Sequence, residues 1–177
     1  MGSLAGVPCA PAKWSSSDEA AVGALAGLVA DLDWTSGAMR PAGLLTVVRE
    51  ARARGAAQIV ECGCGLSSVV LARLAARIGG SLTALEHDAG WAERVRAELA
   101  VDGLEAHARV VHAPLAPHPL ALTDGGWYEA GAVADALDDE RIDVLLVDGR
   151  PPTSPATRSR ATPRCPPSAP AWLRARR

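Results

Sequence analysis

The chain has no phenylalanine, one tyrosine and one lysine against seventeen arginines. The arginine bias points to a GC-rich coding sequence rather than to a chemical role. No apolar run approaches the roughly 20 residues a membrane span needs, so no membrane partner is expected. The opening segment MGSLAGVPCAPAKW lacks a basic leader and a long apolar stretch, so it does not read as a secretion signal, and a cytoplasmic location is expected. Metal-ligand spacing is missing too. Cys62 and Cys64 flank a single glycine, too close for the usual zinc pair, and Cys9 and Cys165 form no second pair. Reduced thiols and no metal are expected.

What is present suits a folded domain. The chain has 177 residues and 49% hydrophobic content, enough for one core. Its charge is uneven: residues 1–149 carry 11 basic and 20 acidic side chains, whereas residues 150–177 carry seven arginines and no acid. Those last residues also hold seven of the thirteen prolines, without helical or strand periodicity, and read as a disordered tail. The tail arginines have neither helical spacing nor interleaved aromatics beyond Trp172, so no nucleic-acid partner is expected.

Between the ends, strand and helix patterns alternate. Residues 16–34 predict a first helix, weakened by two glycines, and residues 40–55 a second, with Pro41 in its first turn and Gly55 at its stop. Strands are predicted at 57–61, 81–86, 108–113 and within 141–149, with helices at 66–80 and 88–104 between the first three. This alternation implies an α/β fold, a Rossmann-like doubly wound parallel sheet with about four strands visible and both faces covered. The division expected is an arm and helix over 1–36, a core over 37–150 and a tail over 151–177.

In such a sheet, ligands settle beyond the carboxyl ends of the strands. Three acids stand there: Glu61, Glu86 and Asp148. Glu61 precedes Cys62-Gly63-Cys64-Gly65 and a helix start, so a ligand can approach a bare backbone and free amides. The dinucleotide fingerprint wants a third glycine where Ser68 stands, and Glu61 would repel a pyrophosphate. The same carboxylate suits an ammonium or sulfonium ligand. Glu61 as a simple helix cap, and Glu86 as a solvated strand end, are the structural alternatives. Cys62 and Cys64 read as small fillers of a tight turn. Trp127 and Tyr128 read as a loop pair that either shapes a pocket or packs on the sheet edge. His107 and His118 read as surface residues, and DALDDER as a solvated helix end.

The order VECGCGLSS, LTALEHDAGWAERVRAEL, ARVVHAPL and WYEAGAVADALDDERIDVLLVDGRPP resembles the class I S-adenosylmethionine-dependent methyltransferases of small molecules, over about residues 37–152. The resemblance implies S-adenosylmethionine as cofactor and a small-molecule acceptor methylated on oxygen or nitrogen. By position it places Glu61, Gly63, Cys64, Gly65 and Ser67 at the methionine end and Glu86 on the ribose. His87 and Ala113 fall on the adenine side, where many members carry an acid at the loop holding His112-Ala113-Pro114. Asp148 faces the acceptor, and Asp148 or His112 would act as base. Asp148 as a metal ligand lacks partners.

The family carries seven strands, so the tail reads as the product of a frameshift near codon 150, which leaves a truncated core. The fourth strand would then be an exposed apolar edge prone to self-association. Two other readings stay open, a noncatalytic S-adenosylmethionine-binding remnant and a nicotinamide-dependent oxidoreductase.

Overall fold

The computed structural model describes residues 14–29, 32–34, 37–119, 121, 126–137 and 141–148. The Pro/Arg-rich tail, and with it the frameshift reading, lies outside the described residues.

The elements in chain order are α1 (Ser16–Val29), α2 (Pro41–Arg54), β1 (Gln58–Cys62), α3 (Leu66–Ile78), β2 (Ser81–Glu86) and α4 (Ala89–Val101). There follow β3 (Ala108–His112), β4 (Leu115–Ala116), β5 (Trp127–Tyr128), α5 (Ala130–Leu137) and β6 (Val144–Val147). The main sheet has the order β3-β2-β1-β6 and is parallel throughout. The four predicted strands are therefore all present and form one sheet.

Two expectations need correction. The first helix stops at Val29, and residues 32–34 are not helical. Asp33 would stand at the carbonyl end of a helix running on to residue 34, where its dipole repels an acid. Second, Trp127 and Tyr128 do not lie in a loop. They form β5, antiparallel to β4, with Tyr128 opposite Leu115 and Trp127 opposite Ala116. Gly126 leads into this strand, and any side chain there would collide with the Ala116 carbonyl.

Alternation along the strands sorts the core onto two faces. Ile59, Leu82, Ala84, Val110 and Leu146 pack against α1–α4 in the larger cluster. Cys62, Leu85, Ala113, Tyr128 and Ala136 form a smaller cluster on the opposite face, beneath α5 and the β4–β5 pair. Both faces are thus used, as a doubly wound sheet requires. The chain steps outward from β1 through β2 to β3, then returns to the other side of β1 with β6. The reversal puts a topological switch point between β1 and β6, where such sheets open a crevice at the strand tips.

Polar ties hold the helices and the sheet rim. Asp18 is buried and accepts from the Ser15 amide (3.0 Å), the Ser15 hydroxyl (2.7 Å) and the Ala42 amide (3.3 Å), and it pairs with Arg40. It therefore caps α1 and joins it to the start of α2. Arg73 on α3 holds Asp102 after α4 and the Leu28 carbonyl of α1. Asp143 accepts from the amides of Ala57 (2.8 Å) and Gln58 (3.1 Å), fixing the start of β6 to the start of β1. Among the described residues no helix is long and apolar enough to cross a membrane.

Candidate active site

The site grows from the end of β1. Every residue of that strand is buried, so its tip delivers Glu61 into the interior with 0% exposure. The chain then turns sharply. Gly63 has φ 91°, a conformation that L side chains rarely adopt, and its amide donates to the Leu85 carbonyl at 2.8 Å. At Gly65 an added Cβ would meet nothing within 4 Å, so the bare backbone there borders open space. Helix α3 starts at the next residue.

Ser68, which replaces a third glycine, is fully buried and links the two parts of this cradle. Its hydroxyl donates to Glu61 Oε2 and accepts from the Gly65 amide at 3.0 Å. Glu61 therefore reaches the helix start through Ser68 and does not cap it directly. Its second oxygen, Oε1, has no hydrogen-bond partner. Burial, opposed by the Ser67 and Ser68 hydroxyls and reinforced by the charges of Asp148 and Glu86, pushes the Glu61 carboxyl up to about 7. Those two carboxylates sit close enough to be felt, so the three tip acids share one end of the sheet.

Glu86, at the tip of β2, is buried and already engaged. It accepts from the Cys64 amide (3.1 Å) and the Asp88 amide (2.9 Å), and His87 Nδ1 stands 2.8 Å from its Oε1. On the other side of the same turn, the Trp91 indole of α4 donates to the Cys64 carbonyl at 2.6 Å. Cys64 is thus held by both its amide and its carbonyl. Ala113 is buried, and its amide donates to the Glu86 carbonyl at 2.8 Å. Ser67 is buried at the first turn of α3.

Asp148 follows β6, half-buried, its amide donating to the Cys62 carbonyl at 3.0 Å. Burial raises its carboxyl above the usual value. His112 closes β3, exposed, with Nε2 3.2 Å from the His87 carbonyl. Because β3 and β6 are the two ends of the four-stranded order, about 14 Å separates these two candidate bases at ~4.8 Å per strand. The structure gathers Glu61, Gly63, Cys64, Gly65, Ser67, Glu86, His87 and Ala113 around β1 and β2. It does not bring His112 to Asp148.

The thiols behave as fillers. Burial pushes Cys62 up to about 11 and Cys64 higher still, so neither is a ready nucleophile, and both are free. His107 and His118 are half-buried rather than fully exposed. Among the described residues no group of three or more His, Cys, Asp or Glu side chains is placed to hold a metal ion.

Three participants were not placed in the site by the sequence. Trp91 acts through a backbone carbonyl 27 residues away. Ser68 looked like a missing glycine. Tyr128 is 2% exposed, and its hydroxyl has no hydrogen-bond partner.

Residues 60–163 match the model of a family described as a methyltransferase domain. No curated protein matches the chain. Among solved structures, the O-methyltransferase TomG from Streptomyces achromogenes, in complex with SAM, is 23% identical with a TM-score of 0.48, over 77% of this chain and 55% of that one. The O-methyltransferase from Bacillus cereus, in complex with SAH, is 19% identical with a TM-score of 0.46, over 77% and 56%. The SAH-bound methyltransferase from Podospora anserina is 13% identical with a TM-score of 0.47, over 79% and 53%. The chain spans little more than half the length of these three proteins.

Proposed function

The chain belongs to the methyltransferase-domain family, and on that premise we propose that it binds S-adenosylmethionine and passes the methyl group to an oxygen or nitrogen of a small-molecule acceptor. One observation carries the reading: a buried carboxylate, Glu61, with an unpartnered oxygen beside a glycine turn and open space. A buried acceptor of this kind calls for a cationic donor. The ammonium and sulfonium of S-adenosylmethionine supply that charge, and the ligand has no phosphate for Glu61 to repel.

In this reading Glu61 holds the amino-acid end, while Gly63 and Gly65 let it lie against the backbone and Ser67 stands at the helix start. Glu86 takes the ribose hydroxyls, its carboxylate set in place by the Cys64 and Asp88 amides. His87 and Ala113 border the adenine side. Bound S-adenosylmethionine supplies an activated methyl group for in-line displacement, so the protein's tasks are alignment and exclusion of water. Asp148 lies across the switch point from Glu61, and its raised carboxyl makes it a stronger base for an acceptor hydroxyl. His112, at the far end of the row, is assigned to the adenine side and not to proton transfer.

Titration of the protein with S-adenosylhomocysteine and with NADH tests the cofactor. Saturable binding of the first alone is expected; binding of NADH alone would return the site to a nicotinamide enzyme. Glu61→Gln should weaken S-adenosylhomocysteine binding by roughly 10- to 100-fold, the range for a lost hydrogen bond to a charged group. Unchanged affinity would place the ligand elsewhere.

Self-association belongs to the same reading. Among the described residues β6 pairs only with β1, and Leu145 and Val147 are 57% and 51% exposed. A second copy offering the same edge would continue the sheet about a two-fold axis.

A further inference from the structure

We propose that the Tyr128 hydroxyl is a ligand-binding donor of this site, one that finds its acceptor only when an oxygen of the bound nucleoside–amino acid settles over the Gly63 turn. The inference rests on the cofactor reading above and adds to it a residue from the opposite face of the sheet.

The placement is built by the short β4–β5 pair. Pairing with Leu115 carries Tyr128 past the end of β3 and turns its ring under the strand tips. There the ring packs with Cys62, Leu85, Ala113 and Ala136, and meets Trp127 edge-on at 5.5 Å between centroids. Cys62, Cys64 and Glu86 all lie within electrostatic reach of the phenol, so its hydroxyl end is turned toward the glycine turn. The Gly63 amide, which also serves the Leu85 carbonyl at 2.8 Å, donates toward the phenol oxygen, but as a donor it offers the phenol proton nothing. The phenol proton therefore has no acceptor.

An unmet donor this deep is costly, on the order of 1–3 kcal/mol. Phenylalanine would fill the same space without that cost. A packing role alone does not account for the hydroxyl; a ligand acceptor does. Glu61 Oε1 presents the complementary case, an acceptor without a donor, next to the same turn. Glu61 stands two residues before Gly63, and the phenol lies within hydrogen-bonding reach of the Gly63 amide, so both belong to the turn whose central residue has no side chain to keep a ligand away. An acceptor oxygen from the ribose or from the amino-acid carboxylate would satisfy the phenol, as the ligand's ammonium would satisfy the acid.

Tyr128 is the chain's one tyrosine, which gives the test a private signal. The wild-type chain and Tyr128→Phe are compared by calorimetric titration with S-adenosylhomocysteine and by thermal melting without ligand. The expected result is an unligated melting temperature equal to or above wild type, with affinity reduced roughly 3- to 15-fold. The Cζ resonance of the tyrosine, carbon-13 labelled, should shift on saturation of the wild type. A folded variant with unchanged affinity, or a Cζ resonance that does not move, overturns the assignment of Tyr128 and leaves the cofactor reading standing. Failure of the wild type itself to bind S-adenosylhomocysteine overturns both.

Discussion

Glu61 answers to two opposed demands. As an unligated acid it weakens the fold, because burial and two neighbouring acids disfavour its charge. Its folded value of about 7 lies above the ordinary 4.5, so the unfolded chain gives up its proton first as pH rises. Stability therefore falls from pH 4.5 to about 7 and levels off above. Glu61→Gln keeps the shape and the Ser68 partner without the charge. At pH 8 it should stabilise the unligated protein by up to about 3 kcal/mol, and at pH 4 by almost nothing, in urea melts at the two pH values. The same ionisation should raise affinity for the cationic ligand between pH 6 and 8. Glu61 itself was legible in the sequence, since an acid ending a buried run before two glycines is a pattern with few meanings. Tyr128 was legible only as half of an aromatic pair. Its burial depends on a two-residue strand, too short to leave a period in the sequence.

At the scale of elements, the long regular pieces were read well because periodicity and glycine stops mark them. Strand β2 was placed residue for residue, and α2 ends at Gly55 in the left-handed conformation. The β4–β5 pair and the early end of α1 were missed, since one has too few residues for a pattern and the other ends ahead of Asp33, an acid that the apolar spacing ignores. Between elements, the Trp91 indole of α4 anchors the loop that joins β1 to α3. Trp91→Phe should cost roughly 1 kcal/mol in chemical denaturation. It should also lower S-adenosylhomocysteine affinity, because Cys64 keeps only its bond to Glu86. A loss of stability with affinity intact would make Trp91 a packing residue alone. The join between α1 and α2 is acid-sensitive. Ser15, then Arg40 and the Ala42 amide, hold the Asp18 carboxyl well below the usual carboxylate range. Its contribution is complete above the unfolded value of 3.8 and is lost as pH falls through the lower folded one. Asp18→Asn should thus lower the melting temperature at pH 7, and the gap from wild type should narrow toward pH 2.

For the whole molecule, the sheet order decides what is central and what is rim. Among the described residues β1 is interior and carries the cradle, while β6 stands at the edge with Leu145 and Val147 exposed. Leu145→Lys with Val147→Lys places two charges on that edge. Light scattering behind size-exclusion chromatography should show concentration-dependent association in the wild type and its loss in the double variant, with S-adenosylhomocysteine binding retained. A wild type that stays monomeric across the range would end the edge-pairing proposal. The strand itself was legible as a Val/Leu run ending in an acid, whereas its place at an exposed edge was implied by the family resemblance and the apparent truncation. What the sequence reading lacked was the way Asp143 fastens that strand.

The bond from Asp143 to the Ala57 amide spans 86 positions of the chain. During synthesis at about 5–20 residues per second, β1 therefore emerges roughly 4–17 s before the strand that will lie beside it. β2 and β3 are made first, and the flank of β1 that β6 will cover has no partner strand until then. Only when β6 arrives can the crevice between Glu61 and Asp148 close, so on the proposed reading the residues for the cofactor are made before the one that would face an acceptor.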